Sequence, residues 1–175
     1  MNFTPFPNLF TERLSLRQMN RNDENEIFIL RSDERVLKYI DIPKAERIDD
    51  ARKFIEKINT CILNDESILW AISLKNSTTL IGTICFWNID KENSVAEMGY
   101  ILHPDFQGKG IMQEAITRII DYGFNTIKLK AIVADLHYNN TKSLKLLEKN
   151  GFIYTQKSNE SDFVIYTLTR QTFGN

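Results

Sequence analysis

The sequence predicts a single α/β domain, spanning residues 1–175, with a central mixed, mostly antiparallel sheet of about seven strands and helices on both faces. Three observations predict it. Three strand patterns follow one another between residues 67 and 104, as in antiparallel sheets. Strand and helix patterns alternate in the second half, which is typical of packed α/β layers. The 175 residues, of which 42% are hydrophobic, suit one core.

The first half of the chain begins with Arg13–Met19, which alternates apolar and polar residues as a half-buried strand does. Residues 22–32 and 46–63 predict helices, the first with acidic residues in its opening turn and the second with an isoleucine-rich face. Three strands follow at residues 67–75, 79–90 and 94–104.

The second half begins with a helix over residues 110–124, whose apolar residues share one face. A dense apolar strand follows at residues 129–136. The next helix starts at Asn140, a good N-terminal cap, and ends at Gly151, which can take a left-handed conformation. Strands near residues 153–157 and 163–169 complete the sheet.

Composition excludes several classes of protein. The formal net charge is −1, without the basic excess typical of nucleic-acid binders. We find no signal-peptide pattern and no apolar run long enough to span a membrane, so we expect a cytoplasmic protein. The two cysteines are far apart and the two histidines are too few, so no metal site is predicted.

The turn "QGKG", from Gln107 to Gly110, lies between a predicted strand and a predicted helix. Backbone N–H groups converge at such a helix N-terminus, and two glycines allow a ligand to approach the chain closely. The lysine lies between the glycines, so this is not a Walker A loop, and the third glycine of a dinucleotide fingerprint is missing. By itself the turn indicates either a diphosphate site or an ordinary connection between strand and helix.

Three segments in fixed order resemble the GNAT superfamily of N-acetyltransferases, and particularly its branch of ribosomal-protein alanine and serine N-acetyltransferases. They are "FTERLSLRQM", "AEMGYILHPDFQGKGIMQEA" and "NNTKSLKLLEKNGF". The pyrophosphate loop of the family reads Gln/Arg-x-x-Gly-x-Gly/Ala. Its positions correspond here to Gln107, Gly108, Lys109, Gly110, Ile111 and Met112, of which the methionine departs from the pattern.

The resemblance implies that acetyl-CoA is the co-substrate and that its pantetheine arm pairs with the main chain of Tyr100, Ile101 and Leu102. A backbone N–H near Tyr100–Ile101 would face the oxyanion of the reaction. Asn140 would orient the pantetheine. Many relatives carry a tyrosine as leaving-group acid where this chain has Leu147, so the resemblance assigns that role to Ser143, as acid or hydrogen-bond partner. Asn140 and Ser143 also suit the first turn of any well-capped helix.

Glu97 is the first choice for the base that takes the ammonium proton, because the resemblance places a glutamate on the strand that enters the cleft. Glu160 and Asp162 are alternatives, and His137 is a weaker one. An α-amino group, with a pKa of roughly 8, needs less help from a base than lysine does. The exposed Lys142 and Lys145 are candidates for the 3′-phosphate of CoA.

We therefore expect an acetyl-CoA-dependent N-acetyltransferase acting on a primary amine, with the N-terminal α-amino group of a protein as the first choice of acceptor. A small-molecule amine, such as a polyamine, amino acid or antibiotic, is the alternative within the same chemistry. A non-catalytic acyl-CoA-binding module is the alternative from another class. The resemblance also suggests a homodimer, whereas nothing in the sequence suggests a nucleic-acid or membrane partner.

Overall fold

A computed structural model describes residues 1–159 and 162–173. Within these residues the chain forms eight strands and six α-helices. None of the helices there is both long and apolar enough to cross a membrane. In chain order the elements are β1 (Leu9–Phe10), β2 (Leu14–Arg17), α1 (Glu24–Ser32), α2 (Glu34–Leu37), α3 (Ile48–Leu63), β3 (Ile68–Leu74), β4 (Leu80–Asp90), β5 (Val95–Leu102), α4 (Ile111–Asp121), β6 (Ala131–His137), α5 (Thr141–Lys149), β7 (Ile153–Lys157), β8 (Phe163–Thr169) and α6 (Arg170–Phe173).

The strands form one sheet in the order β1-β2-β3-β4-β5-β6-β8-β7. Neighbours are antiparallel except for β5 and β6, which run parallel. The mixed, mostly antiparallel sheet predicted from the sequence is therefore confirmed, with one strand more than expected. The additional strand is β1, whose two residues are too few to show an alternating pattern.

Two hydrophobic clusters lie on the two faces of the sheet, which confirms the prediction of helices on both sides. The larger cluster includes the buried residues of α4, such as Ile116 and Ile119, and Leu147 of α5. The other packs Ile27 of α1 and Ile55 of α3 against the sheet. Strand residues alternate between the two clusters because successive side chains of a strand point to opposite faces.

The long helices lie close to their predicted positions, with differences at the ends. A 3₁₀ turn at Arg21–Asp23 precedes α1, and a π-helical turn at Tyr122–Thr126 continues α4. Gly123 lies in this π turn, where a Cβ would come within 3.0 Å of the Phe86 ring. A glycine here lets the end of the helix pack closely on the sheet.

Gly82 brings β4 unusually close to β5, and we expect alanine at this position to destabilise the fold. A Cβ on Gly82 would lie 2.5 Å from the carbonyl oxygen of Ile101, so the backbone of one strand must move. Gly82→Ala should lower the free energy of unfolding by about 2 kcal/mol or more, measured by urea denaturation.

Gly99→Ala is the matched control on the same pair of strands. Its Cβ would meet the Cys85 Sγ at 3.2 Å, and a side chain moves more readily than a backbone carbonyl. Gly99→Ala should therefore cost clearly less than Gly82→Ala. Equal losses would contradict the proposed tight contact between the two strands.

Candidate active site

The parallel strands β5 and β6 are paired only where they begin. Their register matches Val95 with Ala131 and continues to Glu97 with Val133, after which the pairing ends. Beyond this point β5 remains paired with β4 as far as Leu102, and β6 remains paired with β8 as far as His137. The sheet therefore opens between residues 98–102 and 134–137, and we refer to this opening as the gap.

Alternate residues of β5 direct their peptide groups to opposite neighbours. The carbonyl of Ser94 accepts from the Lys130 N–H at 2.8 Å, so even-numbered residues face β6. The N–H of His103 donates to the Ile81 carbonyl at 2.8 Å, so odd-numbered residues face β4. Of the three residues expected to pair with a ligand through the main chain, Tyr100 and Leu102 therefore face the gap, whereas Ile101 faces β4.

The turn after β5 presents an array of free donors. Gly108 and Gly110 have φ values of 74° and 75°, in the left-handed region that favours glycine. Gly110 is the N-terminal cap of α4. In the part of the chain that the structure describes, the N–H groups of residues 108–113 donate to no protein acceptor. With the positive end of the α4 dipole, they form a site that fits a diphosphate.

Arg13 fastens this turn to the start of the chain. Its Nη1 donates to the carbonyl of Lys109 at 3.1 Å, and its Nε donates to Oε2 of Glu114 at 2.6 Å. Thr11 Oγ1 and the Arg13 N–H donate to the other Glu114 oxygen. Burial alone would raise the pKa of Glu114, but these hydrogen bonds hold it below its usual value. With the Lys109 carbonyl held by Arg13, the N–H groups of the turn stay available to a ligand.

The side chains of the turn have different roles. Gln107 Nε2 donates to the Leu102 carbonyl at 3.1 Å and so ties the turn to the end of β5. Lys109 is exposed and lies near the Phe106 ring. Ile111 and Met112 are 4% and 7% exposed and belong to the larger core cluster. The bulk that Met112 adds relative to glycine or alanine therefore lies in the core, and its N–H remains at the turn.

Helix α5 borders the gap with Asn140 and Ser143. Asn140 Oδ1 accepts from the Ser143 N–H at 3.3 Å, so Asn140 caps the helix, as its position in the sequence also indicates. The Ser143 hydroxyl accepts a hydrogen bond at 3.2 Å from the phenol of Tyr100 across the gap. Leu147, at the position where many relatives carry a tyrosine, is fully buried in the core.

Glu97 lies at the narrow end of the gap, where the pairing of β5 and β6 ends. Burial raises its pKa above the usual value, and the nearby charge of Asp135 raises it further. A hydrogen bond of 3.4 Å from Asn88 Nδ2 opposes this increase. Asn88 has a φ of 46° and lies where the register of β4 and β5 shifts. A carboxylate with a raised pKa beside an opening suits proton transfer.

The other candidates for the base are less well placed. The His137 ring contacts Tyr39, Tyr138 and Phe163, with centroids 5.1–5.6 Å apart, and its Nδ1 accepts from the Asn139 N–H. Asp162 is exposed, and Glu160 lies outside the described residues.

Lys142 and Lys145, the candidates for the 3′-phosphate of CoA, are exposed on α5. The described residues include no cluster of three or more His, Cys, Asp or Glu side chains that could hold a metal ion.

Comparison with known families agrees with this geometry. Residues 13–153 match the acetyltransferase (GNAT) domain, so the chain belongs to the GNAT acetyltransferase family. It is an acetyl-CoA-dependent N-acetyltransferase. The fold class and the co-substrate expected from the sequence are thus confirmed.

Three similar proteins illustrate the range of the family. An uncharacterized N-acetyltransferase, p20 of Bacillus licheniformis, is 39% identical over 82% of this chain and 81% of its own. The spermidine N-acetyltransferase of Vibrio cholerae, solved with CoA and spermine, has a TM-score of 0.82 at 24% identity, covering 94% of this chain and all of its own. RimL, a ribosomal L7/L12 alpha-N-protein acetyltransferase solved with coenzyme A, has a TM-score of 0.82 at 19% identity, covering 91% and 95%.

Sequence reasoning missed two side chains that contact predicted site residues. It considered only the main chain of Tyr100, although alternation along β5 already places the phenol on the face opposite Glu97. It assigned no role to Arg13, whose partner Glu114 is 101 residues away. A pairing over that distance has no local pattern in a single sequence.

Gly110→Glu should weaken CoA binding at least ~100-fold, because a carboxylate at the turn blocks the N–H groups and repels the diphosphate. Losing two or more charge-assisted hydrogen bonds is sufficient for that change. Isothermal titration with CoA measures it.

Gly151→Glu controls for backbone strain. Gly151 also has a left-handed φ, of 84°, but it lies beyond the end of α5. This variant should lose stability while it binds CoA normally. Normal CoA binding by Gly110→Glu would contradict the assignment of the turn.

Proposed function

We propose that this enzyme transfers the acetyl group of acetyl-CoA to the N-terminal α-amino group of a protein or peptide, by direct attack in a ternary complex. The observation that carries the proposal is the opening of the sheet with a carboxylate, Glu97, at its narrow end. The side of Glu97 is open: Trp87, which is paired with Glu97 across β4 and β5, is 48% exposed. An open trough admits the end of a chain more readily than a closed pocket does.

The turn and the gap would bind different parts of acetyl-CoA. The N–H groups of residues 108–113 would hold the diphosphate, and the exposed Lys109 would add a positive charge. The gap-facing peptide groups of Tyr100 and Leu102 would pair with the pantetheine arm as a neighbouring strand does. Acetyl-CoA supplies the thioester that the amine attacks. The N–H of Tyr100 would then stabilise the negative charge on the carbonyl oxygen.

Proton transfer is assigned to groups on opposite faces of the sheet. Glu97 would take the ammonium proton, directly or through one water, because its raised pKa brings it nearer to that of the substrate. Ser143, on the α5 side, would donate a hydrogen bond to the departing sulfur. An α-amino group suits this arrangement because its pKa of roughly 8 leaves part of it neutral at pH 7.

RimL resembles this chain in fold and acts on a protein α-amino group according to its name, which supports the proposal. A polyamine is the second candidate, and one observation favours it. Glu97 and Asp135 lie on the same face, close enough for the charge of Asp135 to raise the pKa of Glu97. Two neighbouring carboxylates suit a substrate with more than one positive charge, such as the substrate named for the Vibrio relative.

A set of three acceptors separates the two candidates. The first is a peptide that begins with alanine or serine and contains an internal lysine, the second is the same peptide with a blocked N-terminus, and the third is spermidine. We expect acetylation of the first peptide at its α-amino group, measured by thiol release and mass spectrometry. The blocked peptide should not react. A higher kcat/KM for spermidine would contradict the protein N-terminus as acceptor and favour the polyamine.

Glu97→Gln should lower kcat by ~100-fold or more, because the variant loses the base. In the wild type, kcat/KM should rise with pH as Glu97 loses its proton, and the variant should lack this rise. At pH 7 the raised pKa means that ionised Glu97 opposes folding, so the variant should be slightly more stable. This gain should disappear below the ordinary pKa of 4.5, where Glu97 is protonated in both states.

Glu92→Gln is the control, since Glu92 is exposed in the turn between β4 and β5 and should change neither property. Full kcat in Glu97→Gln would show that another group is the base, and Asp162 would be the first residue to test.

A further inference from the structure

The phenol of Tyr100 reaches across the gap and contacts Ser143 of helix α5. Its hydroxyl donates to Ser143 Oγ at 3.2 Å. The ring packs against the larger core cluster, on the α4 and α5 face of the sheet. Tyr100 thus has a main chain that faces the gap and a side chain that contacts the proposed leaving-group donor.

The direction of this hydrogen bond determines where the Ser143 proton can point. A hydroxyl has one proton and two lone pairs, and Tyr100 occupies a lone pair of Ser143. Among the residues that the structure describes, the Ser143 hydroxyl itself donates to no acceptor. Burial raises the pKa of Tyr100 to about 12, so the phenol remains protonated and continues to donate. The remaining proton of Ser143 is then free to face the gap.

We propose that Tyr100 is a positioning residue: by donating to Ser143 Oγ, it directs the Ser143 O–H into the gap toward the sulfur that departs. This inference rests on the proposed function, since it needs the CoA sulfur beside α5. Neither residue forms a covalent bond. When the carbon–sulfur bond breaks, its electron pair remains on sulfur, and the Ser143 hydrogen bond, strengthened by Tyr100, stabilises that negative charge.

Leu147 packs in the core where many relatives carry a tyrosine, so helix α5 has no phenol at that position. Leu147 has no group that can donate a proton and is fully buried. The tyrosine of β5 instead contacts the serine located one turn before Leu147 on α5. The phenol is thus provided by the sheet and not by the helix.

The pKa of the CoA thiol bound to the enzyme tests the proposal without any acceptor. It is measured from the ultraviolet absorbance of the thiolate during a pH titration, as the difference between complexes with CoA and with desulfo-CoA. Tyr100→Phe should raise this pKa by up to about one unit, because Ser143 can then turn its proton away from the sulfur, and the hydrogen bond to a charged group that is weakened contributes on that order. CoA affinity at pH 7 should change less than twofold, and kcat should fall about tenfold with little change in KM.

Tyr166→Phe is the matched control. The Tyr166 hydroxyl also donates to a residue of α5, Glu148 Oε1, at the same distance of 3.2 Å. This variant loses a tyrosine hydrogen bond of the same length away from the gap, so the thiol pKa and kcat should be unchanged. Ser143→Ala should resemble Tyr100→Phe or be more severe, and the double variant should be no worse than Ser143→Ala alone.

Each result is decisive. An unchanged thiol pKa in Tyr100→Phe would overturn the inference, and so would additive losses in the double variant, which would show that Tyr100 acts independently of Ser143. Neither outcome affects the proposed function if the wild type acetylates an α-amino group. The opposite case can also be recognised. If the wild type binds CoA and shows the Tyr100-dependent thiol pKa but acetylates no peptide, the inference is supported and the proposed acceptor is wrong.

Discussion

The separation of β5 from β6 after Glu97 is the constraint on which the site depends. Each strand remains paired on its other side, so the sheet stays intact around an opening. The Leu102 carbonyl accepts from Gln107, but the peptide groups of Tyr100 and Leu102 that face the gap have no strand partner, and unpaired buried backbone groups are costly. A ligand that presents amide groups, as the pantetheine arm of CoA does, can restore that pairing. The gap is therefore the site that we propose for the pantetheine arm.

Two features of the chain adapt this opening to acetyl transfer. Glu97 and Tyr100 are three residues apart on one strand, so their side chains lie on opposite faces. The proposed base and the Tyr100–Ser143 pair can therefore approach the same carbonyl group from opposite sides. At the end of β5, Gly110 starts α4 with its N–H groups free, while Arg13 holds the preceding carbonyl.

The sequence predicted the features that depend on local patterns. Apolar strand patterns located the longer strands, alternation located β2, and the glycines of the turn indicated a conformational freedom that Gly108 and Gly110 use in their left-handed backbone. Two-residue β1 and the short helices α2 and α6 have too few residues for a periodic signal. The bonds of Arg13 to Glu114 and of Tyr100 to Ser143 join residues 101 and 43 positions apart. Such pairs are brought together by the tertiary fold and have no local signature.

Isothermal titration of the wild-type chain with acetyl-CoA, CoA and ATP tests the central claim most directly, because these ligands share phosphate groups but only the CoA species have a pantetheine arm. If the gap binds that arm, acetyl-CoA and CoA should bind with a Kd on the order of micromolar, and ATP should give no measurable heat. Equal binding of ATP would show that the turn alone accounts for affinity. No binding of either CoA species would contradict the assignment of both the gap and the turn.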